Sequence, residues 1–304
     1  MPATLNYAQA YQQGLQKRYS ENGLLFTNKL WNSPSNTLLK FTGAKEVKVP
    51  RLLIKEGRKD RTRRTITNID ANYENQWETY TLTNERYWST LVDPSDVDET
   101  NYVTSIANIT KIFNDTEKVP EMDKFMVSKL FSRKKELDTE SKQIKSLNLT
   151  EENFLATFDE LMEQMDEAGV PAEGRVIFCT PAVKRMIKNI KQFGRTVNIH
   201  GQGTVIDRSI GRLDDVTIEP SIPSDRMKTV YNFTNGAKVD PTAKQIHFFL
   251  IHIPCMAAPQ KYEFVGLDAP SASSSGNYLY YEQSYDDVLL FKTKHEGLAF
   301  VVAP

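Results

Sequence analysis

The sequence predicts an α+β protein, and three patterns lead to this prediction. Apolar residues recur at helical spacing in its first half, most clearly at Phe154, Phe158 and Leu161. Short apolar runs of β character, such as 246–253 and 298–302, dominate its second half. No internal repeat and no clean linker separates the halves, so we expect them to share one body with soft internal boundaries.

The composition is that of an ordinary globular chain. Of its 304 residues, 39% are hydrophobic and 25% are charged, and 38 Lys and Arg against 39 Asp and Glu leave a formal net charge of −1. These values exclude wholesale disorder, a collagen-like chain and a coiled-coil rod, and leave room for one large domain or two small ones. The near-neutral charge argues against a protein whose main work is to coat phosphates.

The cysteines do not indicate a disulfide-bonded protein, and the apolar stretches do not indicate a membrane protein. Cys179 and Cys255 do not have the spacing of a disulfide framework or a zinc site. The first residues show no basic region followed by an apolar one, so we expect no secretory signal. The longest apolar stretch, 246–258, is too short to span a bilayer. We therefore expect a protein made in the cytoplasm and no membrane contact.

Three amphipathic helices are predicted. The first is capped by Asp98 or Thr100, the second begins at Pro120, and the third runs from Thr150 as its N-cap to a stop at Gly169. Their apolar faces carry Tyr102, Ile106, Ile109 and Phe113; then Met122, Phe125, Met126 and Leu130; then Phe154, Phe158, Leu161 and Met165.

The second half is predicted to be rich in strands. Residues 175–180 indicate a buried strand, and Pro181 fits the start of the helix that follows. A serine-rich exposed turn is expected at 271–276. Further strands are predicted at 216–219, 246–253, 288–292 and 298–302.

A long protruding hairpin is predicted in the first hundred residues. Residues 41–53 and 77–83 have β character, and Pro50 confines the first run to a sheet edge or a free hairpin. The connection, 55–75, has few apolar residues to pack. Its tip must be exposed to solvent unless another subunit covers it, which is the first indication of an assembling protein.

Two charged groups are candidate contact sites. The basic tip of the hairpin comprises Lys55, Arg58, Lys59, Arg61, Arg63 and Arg64, and the acidic group comprises Asp93, Asp96, Asp98 and Glu99. The tip is a solvated loop, a nucleic-acid contact without aromatic stacking, or a clamp that meets the acidic group of another subunit. The basic side chains in 181–195 have the same three alternatives, which are to face solvent, packaged nucleic acid or the acidic side chains of a partner.

Catalytic motifs are weak. Asp96, Asp98 and Thr100 match the Asp-x-Asp-x-Thr pattern of phosphohydrolases that use an aspartate nucleophile, but the motif does not follow a buried strand, and an acidic helix cap explains it better. The histidines, His200, His247, His252 and His295, do not have the spacing of a shared metal site. We predict no catalytic, cofactor or metal site, and hence no enzyme.

A series of short segments resembles the Hong Kong 97-like coat family, the major capsid proteins of tailed bacteriophages. The resemblance spans about 41–302 and depends on the order of its segments more than on any one of them. The segments are 42–51, 82–86, 93–100, 119–123, 170–171, 205–215, 223–229 and 285–290.

The resemblance implies a division of the chain and a mechanical function. It implies an N-terminal arm at 1–40, an extended loop at 41–90, a peripheral domain with a long spine helix at 91–165 that is joined by the C-terminal strand 291–304, and an axial domain at 166–290. Hexamers and pentamers of the chain would tile an icosahedral shell around double-stranded DNA.

The same resemblance implies partners. A separate scaffolding protein, or none, is expected because no long helical segment precedes the loop. A portal protein, a decoration protein and non-specific proximity to packaged DNA are further expectations. The protein would be found in the virion. Lys55 and Lys59 lie on the loop, but no matching Asn and acid are identified, so no covalent crosslink is assigned. An encapsulin-type nanocompartment shell is the alternative within the same architecture.

Overall fold

The computed structural model describes residues 24–42, 45–64, 71–99, 105–190 and 210–304. Its helices are α1 (Asn28–Trp31), α2 (Pro94–Glu99), α3 (Ile106–Phe113), α4 (Val119–Leu137), α5 (Phe154–Glu167) and α6 (Pro181–Asn189). Its strands are β1 (Lys40–Phe41), β2 (Glu46–Ile54), β3 (Tyr73–Thr81), β4 (Asn84–Val92), β5 (Ile144–Ser146), β6 (Arg175–Cys179), β7 (Arg212–Leu213), β8 (Val216–Ile218), β9 (Tyr231–Asn232), β10 (Lys238–Val239), β11 (Ile246–His252), β12 (Met256–Ala257), β13 (Gln260–Asp268), β14 (Tyr278–Asp286), β15 (Leu289–Leu290) and β16 (Leu298–Val302). This mixture confirms the predicted α+β class.

The largest sheet has six strands in the order β5-β16-β11-β6-β8-β7. β11 lies between β16 and β6 and runs antiparallel to both, whereas β16 runs parallel to β5 and β6 parallel to β8. Every residue of β6 and of β16 is buried. Continuous apolar strands of this kind form where both faces of a sheet are covered. The predicted strands at 175–180, 246–253 and 298–302 are confirmed, whereas the one at 288–292 shrinks to β15.

Successive residues of β11 point into two different cores. Phe249 belongs to a cluster that includes Leu130 of α4, and Phe248 belongs to a second cluster with Phe158 of α5 and Val183 of α6. Side chains alternate between the two faces of a strand, so one strand can serve both cores. The sheet therefore separates α4 on one side from α5 and α6 on the other.

The third predicted helix is confirmed, with a later start. Phe154, Phe158, Leu161 and Met165 are all buried, as the helical spacing predicts. Residues 151–153 form a turn before α5 begins, so Thr150 caps this turn and not a regular helix.

One long helical segment replaces the first two predicted helices. α3 continues through a π-helical turn, Asn114–Lys118, directly into α4, so Pro120 lies inside the segment and does not start it. The ring of a proline clashes with the carbonyl four residues earlier, and a widened π turn at that place relieves the clash. Asp98 lies in α2, whereas Ser105 precedes α3, so the predicted cap at Asp98 is wrong; Thr100 lies outside the described residues.

The predicted hairpin is confirmed. β2 and β3 pair antiparallel from Glu46 opposite Thr81 to Ile54 opposite Tyr73. β1 pairs with β2 only at Val47 and Lys48. Val49 still packs on Ala257 and Phe291 of the body, and beyond it the hairpin is a free two-stranded ribbon, which also accommodates Pro50 as predicted.

A three-stranded sheet, β13-β14-β4, packs on the long helical segment. Trp88 of β4 stacks on Phe113 of α3, with ring centroids 4.0 Å apart and planes inclined by 8°. β13 and β14 pair with β4, and β16 lies beside β11 in the six-stranded sheet. The division of the chain into domains stays a prediction.

The segment before the hairpin packs on the body where it is described. Residues 1–23 of the predicted arm lie outside the described residues, and in 24–39 the side chains of Phe26, Leu30 and Trp31 are buried in the same core as α4. Their apolar side chains gain more from burial than an extended arm would allow.

Candidate intersubunit surfaces

The basic tip lies at the free end of the hairpin, where its strands separate. The backbone nitrogen of Lys55 donates to the carbonyl of Asn72 over 2.9 Å, and its amine lies 3.6 Å from the Glu74 carboxylate. Lys59 is paired with Glu56. Arg58, Arg61, Arg63 and Arg64 are exposed and form no ion pair with a described residue. Four of the six cations of the tip thus remain available to a partner.

The acidic group lies on α2 and on the residue before it. The Asp93 carboxylate accepts a hydrogen bond from the Ser95 backbone nitrogen over 2.8 Å and so caps this short helix. Asp98 and Glu99 are exposed, and Asp96 is half-buried. Asp96 and Asp98 are two residues apart on a helix and therefore point to nearly opposite sides. They do not form the carboxylate pair that the phosphohydrolase motif requires.

The structure does not bring the two charged groups together within one chain. Where residues are described, no ion pair joins the basic tip to the acidic group. The contact between them stays a prediction about neighbouring subunits.

The remaining sequence candidates that are described are two buried thiols and three partly buried imidazoles. Burial raises the pKa of the Cys179 thiol to about 11 and that of Cys255 to about 12, which keeps both protonated. Burial lowers the pKa of His247, His252 and His295. The described part of the chain contains no group of three or more His, Cys, Asp or Glu side chains suited to a metal ion. His200 lies outside the described residues.

No helix in the described part of the chain is both long and apolar enough to cross a membrane.

A cluster of hydrogen bonds at the base of the hairpin was not predicted from the sequence. We call it the loop clamp; it joins Leu82 and Thr83, between β3 and β4, and Asn84, the first residue of β4, to Tyr285, Asp286 and Asp287 at the end of β14. The fully buried Asp287 carboxylate accepts from the Thr83 backbone nitrogen and from its hydroxyl, at 2.8 and 2.9 Å. The Tyr285 hydroxyl donates to the Leu82 carbonyl over 3.1 Å, and the Asn84 amide donates to Asp286.

The loop clamp contains a carboxyl group, that of Asp286, whose pKa is raised. Burial raises the pKa of Asp286 to about 6, and the neighbouring charges of Asp287 and Glu121 act in the same direction. The hydrogen bond from Asn84 and the charge of Lys118 act against this shift. The carboxyl group of Asp286 therefore titrates nearer to neutral pH than an ordinary aspartate.

A second buried polar cluster attaches the N-terminal segment to the body. The fully buried Asp123 of α4 accepts hydrogen bonds from the Thr27 backbone nitrogen at 2.9 Å, from the Thr27 hydroxyl at 2.8 Å and from the Arg226 guanidinium at 2.9 Å. Burial raises the pKa of Asp123, and these hydrogen bonds and the Arg226 charge oppose that shift. Three distant chain segments meet at this one carboxylate.

Comparisons with known proteins agree on the fold. No model of a known protein family matches the sequence, and no curated protein matches it. Among solved structures, the capsid of the cyanophage P-SCSP1u matches with a TM-score of 0.65 and 10% identity over 99% of this chain and 93% of that chain. The mature capsid of bacteriophage PhiM1 matches with a TM-score of 0.61 and 14% identity over 86% and 82%.

A third match agrees with these two. The capsid of a native GTA particle gives a TM-score of 0.54 and 10% identity over 98% of this chain and 95% of that chain. The chain therefore has the fold of the tailed-phage capsid proteins, as its resemblance to the Hong Kong 97-like coat family implies.

Proposed function

We propose that this chain is the major capsid (head) protein of a tailed bacteriophage, which assembles with copies of itself into an icosahedral shell around double-stranded DNA. One observation carries the proposal: the similarity to the cyanophage capsid extends over 99% of this chain and 93% of that one. A likeness of this extent includes the hairpin and both sheets and is not confined to one shared domain.

The exposed hairpin supports a role in assembly. A two-stranded ribbon is at best marginally stable in water by itself, so a long free hairpin is expected to be stabilised by contact with another molecule. Many modest contacts, each made by a hairpin on a neighbour, would together hold a shell against internal pressure. The formal net charge of −1 suits a shell that must enclose DNA without binding it tightly.

The sheets support a revised division of the subunit. In this proposal the extended loop is the β2–β3 hairpin, and the peripheral domain comprises the long helical segment with the β13-β14-β4 sheet. The axial domain comprises the six-stranded sheet with α5 and α6. The arm is limited to the residues before the packed segment at 24–39.

The charged groups are proposed as partners across subunits. The basic tip of one subunit would meet the acidic group of another, since one group is cationic and the other anionic, and Arg58, Arg61, Arg63 and Arg64 are exposed at the tip. Exposed ion pairs are weak and screened by salt, so this contact would select the arrangement of subunits more than hold them together.

The proposed function also extends to partners and location. The subunit would be structural and not an enzyme, would be assembled in the host cytoplasm and would remain in the virion. A separate scaffolding protein, a portal protein and a decoration protein are its proposed partners.

Electron microscopy of the purified chain beside its sedimentation profile tests the proposal. We expect closed particles, rings of five or six subunits, or sheets, in the presence of a co-expressed scaffolding protein if not alone. A compact monomer under every condition would contradict it.

A further inference from the structure

The loop between β9 and β10, residues 233–237, contains an asparagine that is followed by a glycine. Asn235–Gly236 is the one such pair in the described part of the chain, and Asn22–Gly23 lies outside the described residues. Glycine has no Cβ, so its backbone nitrogen is open to the side chain of the residue before it. This nitrogen is the nucleophile that can displace the side-chain amide of an asparagine.

Two cationic side chains hold the ends of the loop. Arg86 of β4 donates to the Phe233 carbonyl, and the Lys124 amine of α4 donates to the Ala237 carbonyl over 3.2 Å. The Arg86 guanidinium is neutralised by the Glu121 carboxylate at 2.8 Å, whereas Lys124 forms no ion pair with a described residue. An uncompensated positive charge therefore lies beside the last residue of the loop.

The middle of the loop carries both reacting groups. Asn235 is exposed, and its side chain forms no hydrogen bond with a described residue. The backbone nitrogen of Gly236 likewise donates to no described residue, and a Cβ at Gly236 would have no atom within 4 Å apart from its chain neighbours. Within the described chain, neither group has a competing partner, and solvent reaches both.

Asn232 of the same hairpin is also exposed but lacks these features. Its side-chain oxygen accepts a hydrogen bond from the Thr234 backbone nitrogen over 2.9 Å. The residue that follows it is Phe233, whose side chain shields the backbone nitrogen. Asn232 is therefore a matched internal control for Asn235.

We propose that Asn235 is a site of spontaneous deamidation and that the charge of Lys124 promotes the reaction. The backbone nitrogen of Gly236 bonds to the side-chain carbonyl carbon of Asn235, and the bond from that carbon to the amide nitrogen breaks. The proton of the attacking nitrogen leaves with the amide as ammonia, and a succinimide ring remains. Water then opens the ring at either carbonyl, which yields aspartate or isoaspartate.

The charge of Lys124 acts on the first step. Negative charge develops on the attacking nitrogen and on the attacked carbonyl oxygen, and a fixed cation beside the loop stabilises it. The inference does not depend on the proposed function, because the reaction needs only the folded chain and water.

The product changes the charge of the surface around the loop. Asn235 lines the groove between the β13-β14-β4 sheet and the long helical segment. Each modified chain therefore carries one more carboxylate at this groove, near the unpaired amine of Lys124. Isoaspartate also adds one carbon to the backbone between the two anchored ends of the loop.

Mass spectrometry of the purified, folded chain tests the site. Trypsin cleaves after Lys228 and Lys238, so Asn232 and Asn235 lie in one peptide, 229–238, and fragmentation of this peptide distinguishes them. After incubation we expect the peptide to be about 1 Da heavier than in a sample digested at the start, with the change at Asn235 alone. An unchanged Asn235, or an equal change at Asn232, would overturn the inference.

Substitutions of Lys124 test the role of its charge. In the folded chain, Lys124→Gln should slow the change at Asn235 several-fold, and Lys124→Arg, which keeps the charge, should react at the wild-type rate. In urea, where the loop is no longer held beside α4, the three chains should react equally fast. A folded glutamine variant that reacts as fast as the wild type would overturn the role of Lys124.

Salt tests the same charge without a substitution. Sodium chloride screens the Lys124 amine, so it should slow the reaction of the folded wild-type chain and leave that of the chain in urea nearly unchanged. A rate in the folded chain that does not respond to salt would contradict the electrostatic role.

Discussion

Asp287 and Thr83 are joined by two hydrogen bonds across 204 positions of sequence, one from the backbone nitrogen and one from the hydroxyl of the threonine. Thr83 lies between the hairpin and β4, so these bonds determine where the hairpin leaves the body. Lys129 of α4 donates to the Thr83 hydroxyl over 3.0 Å and lies 3.8 Å from the Asp287 carboxylate. The direction of the hairpin is therefore tied to the long helical segment.

Replacing Asp287 by alanine should destabilise the subunit. The substitution leaves the backbone nitrogen of Thr83 without its acceptor and Lys129 without its counter-charge, which we expect to lower the free energy of unfolding by about 2–4 kcal/mol. Urea unfolding of the unassembled subunit measures it. Asp268→Ala, at the exposed end of β13, should cost little. Equal stability of the two variants would show that the loop clamp has no energetic role.

Asp286→Asn should change how stability depends on pH. A pKa of about 6 in the folded chain, against 3.8 ordinarily, means that the folded state binds its proton more tightly. This carboxyl group therefore lowers the free energy of unfolding as pH rises from 4 to 6, by up to about 3 kcal/mol. The variant should gain stability relative to the wild type over that range and keep the gain at pH 7.

Asp240, a half-buried surface residue, provides a control of opposite sign. Hydrogen bonds from the Thr242 hydroxyl and backbone nitrogen lower the pKa of Asp240, so its ionised form stabilises the fold above pH 4 and this contribution is lost as pH falls. Asp240→Asn should be less stable than the wild type at pH 7 and approach it in acid. If both variants, or neither, were more stable than the wild type at pH 7, burial would not be the cause of the raised pKa of Asp286.

The cluster around Asp123 should be the more sensitive of the two buried polar clusters. Asp123→Leu leaves the buried Arg226 guanidinium without its counter-charge, which we expect to lower the free energy of unfolding by about 3–5 kcal/mol. Thr27→Val removes one hydroxyl donor and should lower it by about 1–2 kcal/mol. Thermal unfolding compares them. Thr37→Val removes an exposed hydroxyl in the same segment and should be nearly neutral.

Neutralising the basic tip should affect assembly and leave the subunit's stability unchanged. Arg58, Arg61, Arg63 and Arg64 are exposed, so their replacement by glutamine removes no internal contact with a described residue. We expect fewer particles at low salt and a weaker dependence of assembly on salt, measured by sedimentation across a sodium chloride series. Arg212→Gln, at the edge strand β7, is the control. Unchanged salt dependence in the tip variant would contradict the proposed contact.

Elements with a strong local pattern could be predicted from the sequence. Phe154, Phe158, Leu161 and Met165 repeat at helical spacing and all become buried. β6 and β16 are apolar throughout, which is typical of strands covered on both faces. The hairpin could be predicted because Pro50 and a polar connection restrict its strands to a free ribbon.

The elements that were missed depend on contacts between distant residues. The polar sequence of the first thirty residues suggested an arm, yet Phe26, Leu30 and Trp31 are buried in the core. Their segment is held there by hydrogen bonds from Thr27 to Asp123, about a hundred residues later. Their clustering just before the hairpin was the available signal. Pro120 suggested a helix start because proline is frequent there, and only packing against the β13-β14-β4 sheet reveals one continuous segment.

The double-sided burial of β11 has a consequence for how the chain folds. A strand that is apolar on one face has its pairing register chosen by polarity, but Phe248, Phe249, Leu250 and Ile251 are buried on both faces, so a slip by one residue would still bury apolar groups. The bulge between Ile246 and Phe248, where β11 pairs with β16, breaks this degeneracy by leaving His247 without an opposite residue. The position of the bulge at His247 therefore distinguishes the native register from one displaced by a single residue.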